Sequence, residues 1–425
     1  MPIARRQLLT GGALLVASGF LAPSFLTRTA RALGGSLPVV GTAPSATPAD
    51  PGKASKILVV IQLSGGNDGI NTVIPYADPG YASLRPSLGI DRGSVLPLSD
   101  SVGLHPGLAR VKALYDGGKV AVVQGVGYPN PNRSHFRSMD IWHTAKPDTF
   151  VRSGWLGRYV DACQCGQDKP LQAISVGDQL NGLFWTETTL VPAIASIGAY
   201  SFLTDTKYKN DRTYQLQALH NIYTQAGSFS PYEALIRQGT LNALSGSDAL
   251  QKVADAYTTP VTYPANNGLA SQLKMVAQVI AGNLGTRLFS VSMGGFDTHA
   301  NQNEHHAGLL TGLAEAVDAF MQDLAAMKRQ DDVVIMTFSE FGRRAKQNGS
   351  VGTDHGTAEP MFVIGNSVHG GLYSTYPSLT DLDTVGDIKF TSDFRSVYAG
   401  ILKNHLGADP APILDGAFDP IQVLR

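Results

Sequence analysis

Metal-binding and nucleophilic side chains follow several strand-like apolar runs in this sequence. The runs and the side chains after them are residues 57–63 with Asp68, 120–126 with Ser134 and His135, 288–293 with Asp297 and His299, and 333–338 with Glu340. Asp354 and His355 follow on a glycine-rich loop. Because α/β sheets bind ligands beyond the carboxyl ends of their strands, carboxylates and imidazoles collected there predict a metal-assisted active site.

Asp68 lies in the turn Gly65-Gly66-Asn67-Asp68-Gly69, directly after the first apolar run. Glycines let a backbone approach a ligand closely, and an aspartate there can offer a hard oxygen to a divalent cation. The same composition is typical of an ordinary turn. The place of Asp68 after the first strand favours a metal ligand.

The segment Arg133-Ser134-His135 begins a predicted helix, so Ser134 falls in its first turn. Free backbone N–H groups and the helix dipole there favour a bound anion and a developing alkoxide, although a serine at that position more often caps the helix. Arg133 and Arg137 can hold anionic oxygens, and His135 can serve as a metal ligand or a base. The predicted catalytic residues are therefore Ser134, His135 and Arg133.

Asp297 and His299 stand two residues apart after a strand, where such a pair can converge on one metal. Glu340 follows the next apolar run, and His355 precedes another predicted strand. Each of these residues is weak evidence alone. Together with Asp68 they form the predicted set of metal ligands.

The order of apolar runs predicts an α/β fold with a mostly parallel sheet flanked by helices. Continuous runs of β-branched and aliphatic residues are typical of buried parallel strands. The strand, helix, strand order over residues 57–126 indicates a βαβ unit. A long helix predicted over residues 304–329 carries one apolar face and is expected to pack on the sheet.

Residues 205–283 change to polar-apolar helical patterns. The predicted helices there are 214–225, 230–244, 248–257 and 269–281. They predict a helical insertion within one domain that spans residues 56–425. A terminal helix is expected over residues 390–406, with its cap at Ser392 or Thr391.

Residues 1–32 have the form of an export signal. Arg5 and Arg6 precede a moderately apolar stretch, and residues 30–32 have the form of a signal-peptidase site. Paired arginines resemble a twin-arginine signal; the alternative, a membrane anchor, needs roughly 20 apolar residues, more than this core offers. Residues 33–55 predict a flexible leader. We expect a periplasmic or extracellular protein, exported by the twin-arginine machinery, with no stable membrane span after cleavage.

Charge and cysteine usage exclude several classes of partner. The formal net charge is −1, and the absence of blocks of like charge argues against a nucleic-acid or acidic-polymer partner. Cys163 and Cys165 are the only two cysteines. Their spacing is too short for an easy bridge, and no further cysteine completes a zinc set. Two thiols in a surface loop are therefore expected.

The order of the motifs resembles the alkaline phosphatase superfamily. The residues that carry the resemblance are Gly65-Gly66-Asn67-Asp68-Gly69, Ser134-His135-Phe136, Gly295-Phe296-Asp297-Thr298-His299, Phe338-Ser339-Glu340-Phe341-Gly342-Arg343 and Asp354-His355-Gly356. Within that superfamily the chain looks most like a twin-arginine-exported branch known mainly as a domain of unknown function. The resemblance spans residues 56–406 and implies an alkaline-phosphatase-like α/β fold.

The resemblance also implies a chemistry. Superfamily members use two metals, usually zinc, to activate a serine or threonine on phosphate or sulfate esters. A divalent metal cofactor is therefore implied, with zinc expected first, calcium or manganese as alternatives, and one or two ions bound. By the resemblance, the ligands are Asp68 and Glu340 for one metal, and Asp297, His299 and His355 for the other, with Ser134 between them.

Two classes of function fit this sequence. The first is an exported metal-dependent hydrolase acting on a small-molecule or polymer ester of phosphate or sulfate. The second is a non-catalytic exported protein of the same fold that binds a ligand or assists cell-envelope assembly. Glu340-Phe341 stands where many superfamily members have Asp-His, which favours the second class. Asn301 stands where a histidine is common, and His299 is expected to substitute for it. Metal content and ester turnover discriminate between them.

Overall fold

The computed structural model describes residues 56–163, 170–205, 207–208 and 210–425. The predicted signal peptide and leader, residues 1–32 and 33–55, lie outside the described residues. The strands are β1 (Ile57–Leu63), β2 (Val73–Ile74), β3 (Leu96–Pro97), β4 (Gly103–Leu104), β5 (Val120–Gly127), β6 (Ala173–Val176), β7 (Ala193–Ile194), β8 (Leu288–Met293), β9 (Val333–Phe338), β10 (Glu359–Ile364), β11 (Gly371–Tyr373) and β12 (Ser392–Asp393).

The α-helices are α1 (Gly69–Thr72), α2 (Pro79–Leu84), α3 (Ala109–Asp116), α4 (His135–Thr144), α5 (Trp155–Ala162), α6 (Asp211–Thr224), α7 (Pro231–Ala256), α8 (Gly268–Ala281), α9 (Gln302–Ala326), α10 (Phe394–Gly400) and α11 (Pro410–Leu414). Helix α10 continues as a π-helical stretch over Ile401–Leu406.

Nine strands form one mixed, mostly parallel sheet in the order β11-β5-β10-β9-β1-β8-β6-β7, with β12 paired to β5. Strand β1 is central and parallel to β8 and β9, whereas β10 is antiparallel to both of its neighbours. The predicted α/β class is confirmed. The strands of the predicted βαβ unit, β1 and β5, run in the same direction with β9 and β10 between them.

Helices cover both faces of this sheet because its strands are apolar on both sides. In β1, Ile57, Val59 and Ile61 face one core, which α8 and α9 complete. Leu58 and Val60 face the other core, which α4, α5 and α10 complete. The predicted packing of the long helix on the sheet is confirmed. The polar and charged side chains of the candidate site therefore lie in the loops at the strand ends.

The terminal helix begins later than predicted. Ser392 and Asp393 are extended and pair with β5 as strand β12, so neither Ser392 nor Thr391 caps a helix. Asp393 is the N-cap, and its carboxylate accepts a hydrogen bond from the N–H of Arg395. The prediction was wrong because pairing with a distant strand overrode the local helical pattern.

Helices α6, α7 and α8 lie in the region of the predicted helical insertion. Helix α8 packs on the main sheet, and α7 adds Leu250 to the same core. Helices α6 and α7 also contribute to a small cluster around Phe202. The two helices predicted over 230–244 and 248–257 are one helix. Ser245, near the predicted break, stays helical and donates to the carbonyl of Leu241 at 3.1 Å.

Two further expectations concern single features. Cys163 is disulfide-bonded, so the expectation of a free thiol there is wrong; Cys165 lies outside the described residues. Within the described part of the chain, no helix combines the length and apolar character that crossing a membrane requires.

Candidate metal centre

Three loops at one edge of the main sheet supply the side chains of the candidate metal centre. His135 is the first residue of α4, which follows β5. Asp297 and His299 lie in the loop after β8. His355 lies in the loop before β10, and because β10 is antiparallel to β9 and β5, its start lies at the edge where those strands end. Donors far apart in sequence therefore meet.

Three imidazoles surround the carboxylate of Asp297, and each presents Nε2. The Nε2 atoms of His299 and His355 lie 3.0 and 3.2 Å from Oδ1 of Asp297, and Nε2 of His135 lies 3.6 Å from Oδ2. The Nε2 atoms of His299 and His355 are 3.0 Å apart. Ligands about 2.0–2.1 Å from a tetrahedral zinc lie about 3.3 Å from one another. The ligand atoms of His135, Asp297 and His355 all lie within 4.8 Å of one another, as around one ion. His299 adjoins this group through its contacts with Asp297 and His355.

The opposite nitrogen of each ring, Nδ1, contacts a hydrogen-bond acceptor. The contacts are His135 with Glu340 Oε1 at 2.8 Å, His355 with the carbonyl of Arg133 at 2.8 Å, and His299 with Asp354 Oδ1 at 3.1 Å. Because these acceptors cannot donate, Nδ1 carries the proton of a neutral ring and Nε2 keeps its lone pair. Metal-binding histidines are commonly oriented in this way. Three lone pairs and a carboxylate therefore face one another.

The protonation states of His355 and Asp297 favour the binding of a cation. Burial lowers the pKa of His355 below its usual value, and the nearby Arg133 carbonyl and Asp297 carboxylate, which raise this pKa, do not outweigh burial. Burial raises the pKa of Asp297, but the hydrogen bond and charge of Arg343 outweigh burial, and the net shift is downward. A neutral imidazole and an ionised carboxylate are the forms that bind metals.

Arg343 ties the loops around the centre together. Its side chain is fully buried, and Nη2 donates to Oδ1 of Asp297 at 2.6 Å. Nε donates to the carbonyl of Gly66 at 2.7 Å, and Nη1 to that of Thr353 at 2.8 Å. The guanidinium thus contacts the turn after β1 and both loops that carry Asp297 and His355.

Glu340 and Phe341 support the rings from the side. Glu340 is 2% exposed, and Oε1, which contacts His135, also accepts the N–H of Gly65 at 2.8 Å. The ring of Phe341 packs against His135 and His355, with centroids 5.0 and 4.6 Å apart. The dipeptide that departs from the superfamily pattern therefore orients two imidazoles.

The structure places Asp68 in a buried ion pair. Nη1 and Nη2 of Arg85 lie 2.5 and 3.0 Å from its two carboxylate oxygens, and the amide of Gln302 donates to Oδ2. Burial raises the pKa of Asp68, but the charge and hydrogen bonds of Arg85 outweigh burial and lower it overall. Among the described residues, the group whose ligand atoms converge contains His135, Asp297 and His355, not Asp68.

The predicted catalytic residues border the centre in different ways. His135 contributes Nε2 to it. Ser134 is the exposed N-cap of α4, and within the described part of the chain its hydroxyl makes no capping bond. The guanidinium of Arg133 donates to Asp387 and Asp383, at 2.5 and 2.9 Å. Only the backbone carbonyl of Arg133 therefore faces a ligand ring.

Sequence reasoning did not find Arg85 and Gln302. A carboxylate that follows a buried strand needs a charged or hydrogen-bonding partner, so Asp68 itself was the available signal. Its partner Arg85 lies 17 residues away on no recognisable motif. Gln302 lies 234 residues away.

The fold and the site define an α/β protein with three histidines and an aspartate converging at the strand ends of a mixed, mostly parallel sheet. The chain belongs to the family described as Protein of unknown function (DUF1501), which matches residues 121–391. That range includes all four side chains of the candidate centre. The predicted likeness to a branch known as a domain of unknown function is confirmed.

Three solved structures match the chain at low sequence identity. A protein in the alkaline phosphatase superfamily from Vibrio parahaemolyticus is 10% identical with a TM-score of 0.42, covering 93% of this chain and 77% of that chain. The PsFucS1 sulfatase from Pseudoalteromonas sp. is 10% identical with a TM-score of 0.36, covering 92% of this chain and 81% of that chain. The alkaline phosphatase from the Antarctic bacterium TAB5 is 11% identical with a TM-score of 0.30, covering 75% of this chain and 94% of that chain. No curated protein matches the chain.

Proposed function

We propose that this protein is an exported, metal-dependent hydrolase of phosphate or sulfate esters. Its cation would be bound by His135, His299, His355 and Asp297. The observation that carries the proposal is the convergence of three Nε2 atoms on one carboxylate while an acceptor holds each Nδ1. Three nitrogens and one oxygen suit zinc, whereas calcium prefers six or more oxygens. We therefore propose zinc over calcium or manganese.

The proposal uses one ion and reassigns two predicted ligands. Both oxygens of Asp68 are engaged by Arg85, which leaves this carboxylate no open side toward a metal. Glu340 lies on the far side of the His135 ring, at Nδ1, where a carboxylate orients a metal ligand and raises its basicity. In this proposal Asp68 is structural and Glu340 is the partner of a ligand.

Ser134 is the proposed nucleophile. When bound, a divalent cation would lower the pKa of a nearby hydroxyl or water and shield charge on the transferred group. Ser134 precedes the ligand His135 at the N-terminus of α4, where backbone N–H groups and the helix dipole favour an alkoxide and an anion. Because the proposal gives Nε2 of His135 to the metal, His135 is not the base. Arg133 positions His355 through its carbonyl.

A non-catalytic exported protein that binds a ligand or assists cell-envelope assembly is the competing proposal. Ester hydrolases present cationic groups to the anion they transfer, whereas the arginines that flank this centre already bind carboxylates and carbonyls of the protein. Arg133 binds two aspartates. Arg137 binds Asp140 and three backbone carbonyls, and Arg343 binds Asp297 and backbone carbonyls. This arrangement favours binding without turnover.

Metal analysis combined with turnover of aryl phosphate and aryl sulfate tests both proposals. We compare wild type with Ser134→Ala and His299→Ala, and use His220→Ala, a change at an exposed histidine of α6, as the matched control. The hydrolase proposal expects about one zinc per chain in wild type and in His220→Ala. It expects metal loss in His299→Ala, and retained metal without turnover in Ser134→Ala. Wild-type protein without metal overturns the proposal, and metal-loaded but inert wild type favours the competing one.

We propose export through the twin-arginine machinery to the periplasm or the cell exterior. The support is Arg5 and Arg6 before the apolar stretch. Replacing both with lysine keeps the charge but removes the paired arginines, so the precursor is expected to stay inside the cell. Cell fractionation measures this, and export equal to wild type overturns the proposal.

A further inference from the structure

Gln302, the first residue of α9, is buried between the two loops that carry three of the four proposed ligands. Its amide oxygen accepts hydrogen bonds from the hydroxyl of Thr298 at 3.0 Å and from that of Thr353 at 2.6 Å. Thr298 stands between Asp297 and His299, and Thr353 belongs to the loop of the third ligand. One side chain therefore contacts both loops.

The orientation of this amide is determined by Asp68. An ionised carboxylate can only accept hydrogen bonds, so the amide nitrogen of Gln302 must face Asp68, and the amide oxygen must face the two hydroxyls. Asp68 is held in turn by Arg85 at 2.5 and 3.0 Å. Both partners of this ion pair are fully buried. Buried charges tolerate few alternative arrangements, so the pair gives Gln302 a fixed anchor.

Backbone hydrogen bonds join the same two loops. The N–H of Thr353 donates to the carbonyl of Thr298 at 3.1 Å, and the N–H of Gln302 donates to the carbonyl of Val351 at 2.9 Å. A displacement of either loop at this point changes the separation of the ligand rings that the loops carry. The amide of Thr353 therefore reports directly on the contact between the loops.

We propose that Gln302, anchored by the Asp68–Arg85 pair, is a positioning residue that sets the separation of the two ligand loops. The inference rests on the proposed function for the identity of the metal site. It assigns to Gln302 a specific effect on metal affinity, beyond any contribution to stability. Neither Gln302 nor Arg85 touches the centre itself.

The test compares Gln302→Met with a matched control on the same helix. Methionine keeps the length and volume of the side chain but removes the amide donor and acceptor. The control is Asp323→Asn, because Asp323 is also buried and accepts hydrogen bonds from the hydroxyls of Tyr257 and Tyr263. Both variants are expected to lower the free energy of unfolding, measured in urea. Two further readouts are the zinc dissociation constant, by competition with a chromophoric chelator, and amide hydrogen exchange at Thr353.

For Gln302→Met we expect about tenfold weaker zinc binding, the lower end of the effect of losing outer-shell partners, and faster exchange at Thr353. Asp323→Asn is expected to keep wild-type values of both. If Gln302→Met does not fold, Thr353→Val decides in its place, because it removes one link isosterically and should weaken binding in the same direction. Wild-type zinc affinity and wild-type exchange in the variant overturn the inference.

The two readouts also separate failure of this inference from failure of the proposed function. A wild-type chain that binds no zinc refutes the metal site, and exchange at Thr353 then still decides whether Gln302 joins the loops. Normal zinc binding by wild type with an unchanged Gln302→Met variant refutes only the positioning role.

Discussion

The replacement Glu340→Gln isolates the effect of one negative charge on the candidate centre. Oε1 of Glu340 accepts the N–H of Gly65 and contacts Nδ1 of His135, both at 2.8 Å. A glutamine oxygen in the same place keeps both contacts. The glutamine nitrogen then takes the place of Oε2 and can donate to the hydroxyl oxygen of Ser339, 3.2 Å away. That hydroxyl donates its own proton to the carbonyl of Leu63, so no clash of donors arises.

The expected loss is electrostatic because the geometry is kept. Replacing the carboxylate partner of a metal-bound histidine lowers metal affinity about 10- to 100-fold, which corresponds to about 1.4–2.7 kcal/mol of binding free energy. The free energy of unfolding of the metal-free protein should change by less than about 1 kcal/mol, since each hydrogen bond of Glu340 is retained.

Zinc titration in competition with a chelator of known affinity measures the first quantity, and urea unfolding measures the second. Glu304→Gln serves as the control, because Glu304 lies exposed in the first turn of α9 and should leave zinc affinity unchanged. The reasoning is refuted if wild type binds zinc and Glu340→Gln binds it equally well. It is also refuted if the variant loses affinity only in proportion to a large loss of stability.

Three further predictions concern the stability of the folded protein. In Gly65→Ala, the new Cβ would lie 2.4 Å from the backbone nitrogen of Asp297 at a φ of +120°, so urea unfolding should show a loss of at least about 2 kcal/mol. Asp68→Asn should cost about 3–5 kcal/mol at neutral pH, because it leaves the charge of Arg85 buried and unpaired. Folding lowers the pKa of Asp68, so the stabilisation by its carboxylate is present above the ordinary pKa of 3.8 and is lost as the pH falls through the lowered pKa of the folded state. The difference in unfolding free energy between wild type and Asp68→Asn should therefore close in acid. A difference that is independent of pH would contradict this. Asp393→Ala should cost about 1 kcal/mol by removing the N-cap of α10, and equal thermal midpoints would contradict the assigned cap.

The central strands were predictable because burial on both faces leaves a strong local signal. The predicted limits of β8 and β9 match the structure residue for residue. The order of strands could not be predicted, since β10 inserts between β5 and β9 through contacts far apart in sequence. The predicted start of the terminal helix was wrong for the same reason, because Ser392 pairs with Val126 of the distant strand β5.

The types of the site residues could be read from the sequence, but their mutual orientation could not. Asp297 and His299 are close in sequence, so their convergence was a local expectation. Whether Glu340 faces a metal or the back of an imidazole depends on the position of His135, 205 residues away. In the sequence Asp68 fits the pattern of a metal ligand, but in the structure its carboxylate pairs with Arg85.

The strand order also constrains how the chain can be made. Among the strands of the described residues, β1 pairs with β8 and β9, with Leu58 opposite Leu288 and Val334. A ribosome therefore completes well over half of the polypeptide before the first strand can be paired, and unpaired apolar strands are prone to aggregate. Such long-range pairing slows folding. We expect nascent chains that end before residue 359 to depend on chaperones, because β10 must still be inserted between β5 and β9 to close the sheet.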